Sequence, residues 1–241
     1  MKQETQVMVS LTDSLKLMID HYKKTMSKDE FDRFMMRLYD GICFYREQFS
    51  KIPEGYNRAY NVHRFIDELL EEDKKVNQKD WTDISCRKGC SACCYKTVIA
   101  TDDEADLLVQ YCKDEGIEID VEHLKGQANF KGTSAQWFDR GKDKARCVFL
   151  KDNECSVYEH RPAACRKFYV ISDPEKCGGR SGREILVKVS LNVEMAASGA
   201  MDIDHKRVGD LPDQLLKRLE KEESSGAVRE PNLLSQDARR P

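Results

Sequence analysis

The feature that most constrains this chain is the run Cys86-Arg-Lys-Gly-Cys90-Ser-Ala-Cys93-Cys94, which places four thiols within nine residues. Thiolates spaced by two or three residues can turn inward from one loop onto a single centre. The small residues Gly89, Ser91 and Ala92 let the backbone fold around it. A lone cysteine is usually a small buried hydrophobe, but Arg87 and Lys88 lie within this run and would be costly to bury. Four further thiols follow at Cys147, Cys155, Cys165 and Cys177, so with Cys112 set aside eight of the ten cysteines lie between residues 86 and 177. Eight sulfurs are enough for two four-thiolate sites, or for one cluster plus a structural site. Zinc sites and the common iron–sulfur clusters both take four protein ligands. The spacing sets the number of sulfurs and leaves the metal open.

Metal is favoured over disulfides by the expected compartment. The start MKQETQVMVSLTD lacks the basic stretch and apolar run of a secretory signal, and nowhere do about 18 consecutive apolar residues occur. A cytoplasmic, reducing location with no membrane span follows as the expectation, and clustered thiols in such a compartment more often hold metal. Lys+Arg 40 against Asp+Glu 43 gives a net charge of -3, which argues against a polybasic nucleic-acid or membrane binder. With 40% hydrophobic and 34% charged residues, 241 residues can bury one sizeable core or two small ones.

Residues 1–80 carry helical periodicity. Ser27 and Glu30 have the form of a capping box, after which Phe31, Phe34, Met35, Leu38, Ile42, Tyr45 and Phe49 recur at steps of three and four. A shorter helix through Leu15, Met18 and Tyr22 precedes it. A third, through Ala59, Val62, Ile66, Leu69 and Leu70, follows the Pro53–Gly55 break, and the three are expected to pack as a small bundle. Residues 81–180 form the cysteine-punctuated core. In it, Thr101 and Glu104 make a second capping box opening a helix that Gly116 closes, and a weaker helix spans Val121 to Phe130. Cys147 to Tyr158 reads as a hairpin turning near Lys151, Asp152 and Asn153. Residues 181–220 complete the core. Ile185, Val187, Val189, Leu191 and Val193 alternate with polar residues and predict a half-buried strand, with a helix as the alternative because Ile185, Val189 and Val193 lie four apart. Pro212 opens a last helix through Leu215, Leu216 and Leu219, and residues 221–241 read as a disordered tail. The predicted fold class is α+β, mainly helical, with an N-terminal helical region packed on a cysteine-rich metal-binding core that has short strands.

The CxxxCxxCC loop, followed by Cys147-x-Phe149-Leu150 and then Cys155-Ser156-x-Tyr158-Glu159-x-Arg161-Pro162-x-x-Cys165-Arg166, resembles the YkgJ-type cysteine-cluster family, a zinc- or iron-chelating domain. The resemblance covers about residues 81–180. It implies a metal ligand set of Cys86, Cys90, Cys93, Cys94, Cys147, Cys155, Cys165 and Cys177, and a bound iron–sulfur cluster, iron or zinc. One branch similar to this family, the flagellin lysine N-methylases, is associated with an iron–sulfur cluster and methyl transfer from S-adenosylmethionine, so a protein lysine N-methyltransferase is an alternative. Against it stands the lack of a GxGxxG turn and the short chain. Cys86, Cys90 and Cys93 also match the CxxxCxxC spacing of radical S-adenosylmethionine enzymes, but Cys94 and the lack of alternating strand–helix units argue against that barrel. A third reading is a zinc-stabilised interaction module whose protein partner binds the N-terminal helices.

The remaining residues have plainer readings. Cys112 and Cys43 are expected in helical cores. His160 stands inside the second motif and could reach a metal, but eight thiolates already saturate two sites, so a supporting or surface position is expected. His21, His63, His123 and His205 have no second histidine at ligand spacing. Arg87, Lys88, Arg161, Arg166 and Lys167 are expected to offset the thiolate charge. No catalytic dyad can be assigned from spacing.

Overall fold

The computed structural model describes residues 11–87, 89–132, 134–178 and 185–225. Its architecture is the mainly helical α+β class expected. Helix α1 (Asp13–Thr25) starts where the Thr12 hydroxyl accepts the Leu15 N–H, and α2 (Lys28–Ser50) starts at the Ser27–Glu30 box, which closes in both directions. Helix α3 (Tyr56–Val76) and the short α4 (Gln78–Thr82) follow. The cysteine loop then leads into β1 (Ile99–Thr101), which runs directly into α5 (Asp102–Asp114) through the reciprocal Thr101–Glu104 box. Helices α6 (Val121–Ala128), α7 (Ser134–Asp139) and α8 (Lys142–Ala145) lead to a hairpin of β2 (Leu150–Lys151) and β3 (Glu154–Cys155). Its turn is at Asp152 and Asn153, both at positive φ, as a two-residue hairpin loop requires. The single-turn helix α9 (Ala163–Arg166), strands β4 (Tyr169–Val170) and β5 (Val187–Lys188), helix α10 (Leu191–Met201), strand β6 (Val208–Asp210) and helix α11 (Leu211–Ser225) complete the order.

Among the described residues the three strand pairs are antiparallel and two-stranded: β1 with β6, β2 with β3, and β4 with β5. Such pairs are marginal alone, so helices must hold them. Pairing Ala100 with Gly209 and bonding the Leu211 N–H to the Val98 carbonyl seats α11 against α5. There Leu108, Val109, Cys112, Leu124, Phe149, Val157, Leu211 and Leu215 share one core. A second core joins Phe49 of α2, Val62, Ile66 and Leu70 of α3, and Val193, Ala196 and Ala197 of α10; a third joins α1 to α2 through Leu15, Ile19, Leu38 and Ile42.

Two expectations are corrected. The stretch Ile185–Val193 is not a continuous strand: only Val187 and Lys188 pair with β4, and α10 begins at Leu191. Leu186 breaks the alternation and is exposed, and Ser190 stands where the helix starts. The first three long helices also do not form a bundle of their own, because α10 lies against both α2 and α3 and occupies their apolar faces. The N-terminal helices thus depend on a segment from beyond residue 190 for their core. The tail expected over 221–241 is helical as far as Ser225; the rest of it lies outside the described residues.

The α2–α10 crossing depends on Gly199. A Cβ there would come 2.8 Å from the Arg46 nitrogen and 2.9 Å from the Ile42 carbonyl oxygen, both backbone atoms that cannot step aside. Gly199→Ala is therefore expected to destabilise the chain by about 1–3 kcal/mol through overpacking, outweighing the roughly 1 kcal/mol helix-propensity gain. Urea denaturation of the two proteins checks this.

Candidate metal centre

The cysteine loop is tied down at both ends. The Ser85 N–H donates to the Val170 carbonyl at 2.8 Å, its hydroxyl bonds the Val170 and Ser172 carbonyls, and the Val170 N–H donates to the Cys86 sulfur at 3.2 Å. Cys86 is thus held on the edge of β4. Gly89, at φ +83, makes a turn in which the Cys90 N–H bonds the Arg87 carbonyl, a conformation that favours glycine. Residues Ala92–Tyr95 then form a 3-10 turn carrying Cys93 and Cys94.

The second motif docks on the first through the backbone, with the Cys147 N–H donating to the Cys94 carbonyl at 2.6 Å. Cys155 stands in β3 opposite Leu150, and Cys165 lies in α9. Cys177 is buried in a 3-10 turn, Pro174–Gly178, packed on the Ala92–Tyr95 turn. Cys93 interacts electrostatically with Cys86, Cys94, Cys147, Cys155, Cys165 and Cys177, and Cys90 with Cys86 and Cys177. The structure thereby gathers all eight predicted residues into one region. The other two cysteines lie elsewhere: Cys112 in the α5 core and Cys43 on α2, where its sulfur accepts from Arg46 at 3.6 Å. Among the described residues no three Cys, His, Asp or Glu side chains stand converged enough to hold an ion, so the thiols are neighbours and not a formed ligand set.

The thiols differ in how readily they ionise. A hydrogen bond from the Cys94 thiol brings Cys93 down to about 7 and, reciprocally, drives Cys94 far upward. Burial pushes Cys147 up to about 12, Cys165 well above its ordinary value, and Cys86, Cys155 and Cys177 upward as well. Without a cation, one sulfur of this group is readily ionised and its neighbours stay protonated, because dry like charges repel. A soft dication reverses that balance, and an all-sulfur donor set suits zinc or iron.

The motif's other residues build the frame. Buried Arg166 donates through Nε to the Arg161 carbonyl at 2.9 Å and through Nη2 to the Glu159 carbonyl, and pairs through Nη1 with Asp67 of α3 at 2.5 Å. Lys167 pairs with Glu194 of α10 at 2.9 Å. These two cations therefore serve the frame, while Lys96 and Arg161 are the ones that favour the Cys93 thiolate. Lys96 was not singled out by the sequence reading, although it lies two residues after Cys94. Arg87 is exposed, and Lys88 lies outside the described residues.

A buried polar seam joins α3 to this region and was not legible in sequence. His63 Nε2 lies 2.9 Å from Glu104 Oε1, which also accepts the Ala163 N–H at 2.7 Å, while Glu104 Oε2 accepts the Thr101 N–H at 2.8 Å. These donors outweigh burial and hold the Glu104 carboxyl below its usual range, whereas burial pushes His63 down. A neutral imidazole donating from Nε2 fits both, and it leaves Nδ1 as a buried acceptor without a partner. Nearby, Arg58 pairs with Asp103 at 2.5 Å.

His160 packs against the Tyr111 ring at 4.3 Å, and burial, then Arg166, depress it to about 4. Because an unfolded histidine titrates near 6.5, the unfolded state binds more protons between those two values. Stability should be full above about pH 6.5 and fall as pH drops toward 4, by on the order of 1 kcal/mol from this residue, because the ring is only partly buried and solvent screens much of the shift. His160→Phe keeps a ring against Tyr111 and should flatten the dependence of Tm on pH in that window; an unchanged slope would contradict the assignment.

Comparison with known families agrees with this geometry. Residues 85–179 match the family model named CxxCxxCC, described as a putative zinc- or iron-chelating domain. Over that segment the chain is similar to the CxxCxxCC family. The match begins at the residue that anchors the loop to β4 and ends just after Cys177, so it spans all eight clustered thiols. No curated protein and no solved structure matches the chain. The helices on either side of residues 85–179 are outside the match, and no helix among the described residues is long and apolar enough to cross a membrane.

Proposed function

We propose that this chain is a metal-binding protein in which the eight clustered cysteines hold iron, as an iron–sulfur cluster, with zinc as the other occupant the same donors accept. The observation that carries the reading is the gathering around Cys93 of sulfurs from the 86–94 loop, the hairpin, α9 and the 174–178 turn. A cluster bound there would supply electron transfer or Lewis acidity, and the chain's own part would be to fix four segments and exclude water.

The test is elemental analysis with acid-labile sulfide and an optical spectrum on protein purified without oxygen. Iron with sulfide and a broad visible absorption bleached by dithionite supports the cluster. Stoichiometric zinc in a colourless sample replaces the cluster with a zinc site, and protein free of both metals overturns the reading. With iron present, calorimetric titration with S-adenosylmethionine reads out the methyl-transfer alternative, which requires binding that disappears in Cys90→Ser.

A further inference from the structure

We propose that Asp67, Glu104 and Glu194 are positioning residues for Cys165, three carboxylates from the helical body that hold the turn carrying this thiol in place for metal. The inference deepens the metal-binding reading and rests on it.

The turn cannot hold itself. Helix α9 is four residues long, and Pro162 before it has no side-chain group that could cap it. A single helical turn fixes several dihedral angles for very few bonds, so its order has to come from tertiary contacts. Residues on both sides of Cys165 find those contacts in carboxylates. The Ala163 N–H, two residues before it, donates to Glu104 of α5 at 2.7 Å. Arg166, directly after it, pairs with Asp67 of α3 at 2.5 Å, and Lys167 pairs with Glu194 of α10 at 2.9 Å. Two of the carboxylates are fixed in turn. Glu104 accepts from the Thr101 N–H and lies 2.9 Å from His63 Nε2, and Glu194 accepts the Thr12 hydroxyl at 2.5 Å.

Thiols of the first motif are held differently. Cys90 and Cys94 rest on turns closed inside the 86–94 loop, with their N–H groups on the Arg87 and Ser91 carbonyls. Cys165 is instead anchored to three helices. An anchored thiol loses little conformational freedom when metal binds, which raises affinity without adding a contact to the metal. Helices α3 and α10 lie outside the 85–179 match, so Asp67 and Glu194 give the flanking helices a part in the centre that the matched segment does not contain.

Cobalt(II) titration of the reduced, metal-free full chain under anaerobic conditions tests this through thiolate-to-cobalt absorbance, at a temperature where every variant is folded. Asp67 is the residue to change, because its side chain is 48% exposed and Arg166 keeps its bonds to the Arg161 and Glu159 carbonyls without it. Asp67→Ala should weaken cobalt binding about tenfold, the lower end for residues that hold metal ligands in place. Asp67→Glu should restore part of that loss. Glu30→Ala, which removes a surface cap on α2, should leave the affinity at the wild-type value. In a Cys165→Ser background Asp67→Ala should have no further effect, as action through Cys165 requires. Wild-type affinity in Asp67→Ala, or the same loss in both backgrounds, overturns the positioning role and leaves metal binding standing. A wild type that takes no cobalt overturns the metal-binding reading and this inference with it. If Cys165→Ser takes no cobalt, the comparison of Asp67→Ala with Glu30→Ala decides.

Discussion

Stripping the metal with a chelator under reducing conditions is expected to melt the cysteine loop and the 174–178 turn while α1, α2, α3 and α10 stay folded. Among the described residues the loop from Cys86 to Cys94 places no side chain in the three apolar cores, and Cys93, Cys94 and Cys90 are only partly buried. Its order must come from the Ser85 and Cys86 bonds to β4, the Cys147–Cys94 bond, and the metal. Structural zinc contributes about 10–16 kcal/mol of apparent folding free energy in peptides that have little else. Here the hairpin keeps Val148, Phe149 and Val157 in the α5 core, so a smaller share falls to the metal. A loss of about 5 kcal/mol corresponds to a drop in Tm of roughly 10–20 °C for a chain of this size. Hydrogen exchange gives the regional readout: amides of residues 85–95 and 174–178 should lose protection, and those of α2 and α10 should keep it. Uniform loss across the chain would contradict the division of labour.

Glu104→Ala is the second large effect, with an expected cost of about 3–5 kcal/mol, because several donors lose a buried carboxylate acceptor at about 1–3 kcal/mol each. The change removes the cap of α5, leaves the Ala163 N–H at the start of α9 without its acceptor, and strands His63, which is 2% exposed. The chain contains its own control. Glu30 closes the same kind of box with Ser27, but on the surface, and Glu30→Ala should cost only about 0.5–2 kcal/mol. Denaturation midpoints of the two variants should therefore differ severalfold in shift. Equal shifts would mean that Glu104 is no more than a cap.

These two boxes also show how much the sequence discloses. Both were readable from Ser27-x-x-Glu30 and Thr101-x-x-Glu104, as was the hairpin turn at Asp152 and Asn153, because each depends on residues a few positions apart. That one box is buried and ties α3 to α9 depends on contacts 41 and 59 residues away, for which no local signal exists. The same limit hid the placement of α10. Its run Ala196-Ala197-Ser198-Gly199 has no apolar stripe to mark a helix face, since small residues there serve close approach to α2 on one side and α3 on the other. In the candidate site, spacing picked out eight thiols that lie in one region of the fold and set Cys43 and Cys112 aside. Which sulfurs are neighbours was not readable, because Cys177 reaches Cys86 across 91 positions through β4. The cations were half-readable: Arg161 faces Cys93, but Arg166 and Lys167 turn to Asp67 and Glu194.

The most direct test of the central claim is the native mass of the anaerobically purified full chain, compared with its mass after acid denaturation. Eight thiols holding metal predict a native mass above that of the polypeptide, with the excess lost on denaturation and reduced in Cys165→Ser and Cys177→Ser. A native, compactly charged species at the bare polypeptide mass would contradict the account, and the cysteines would then be buried thiols with no metal to gather them.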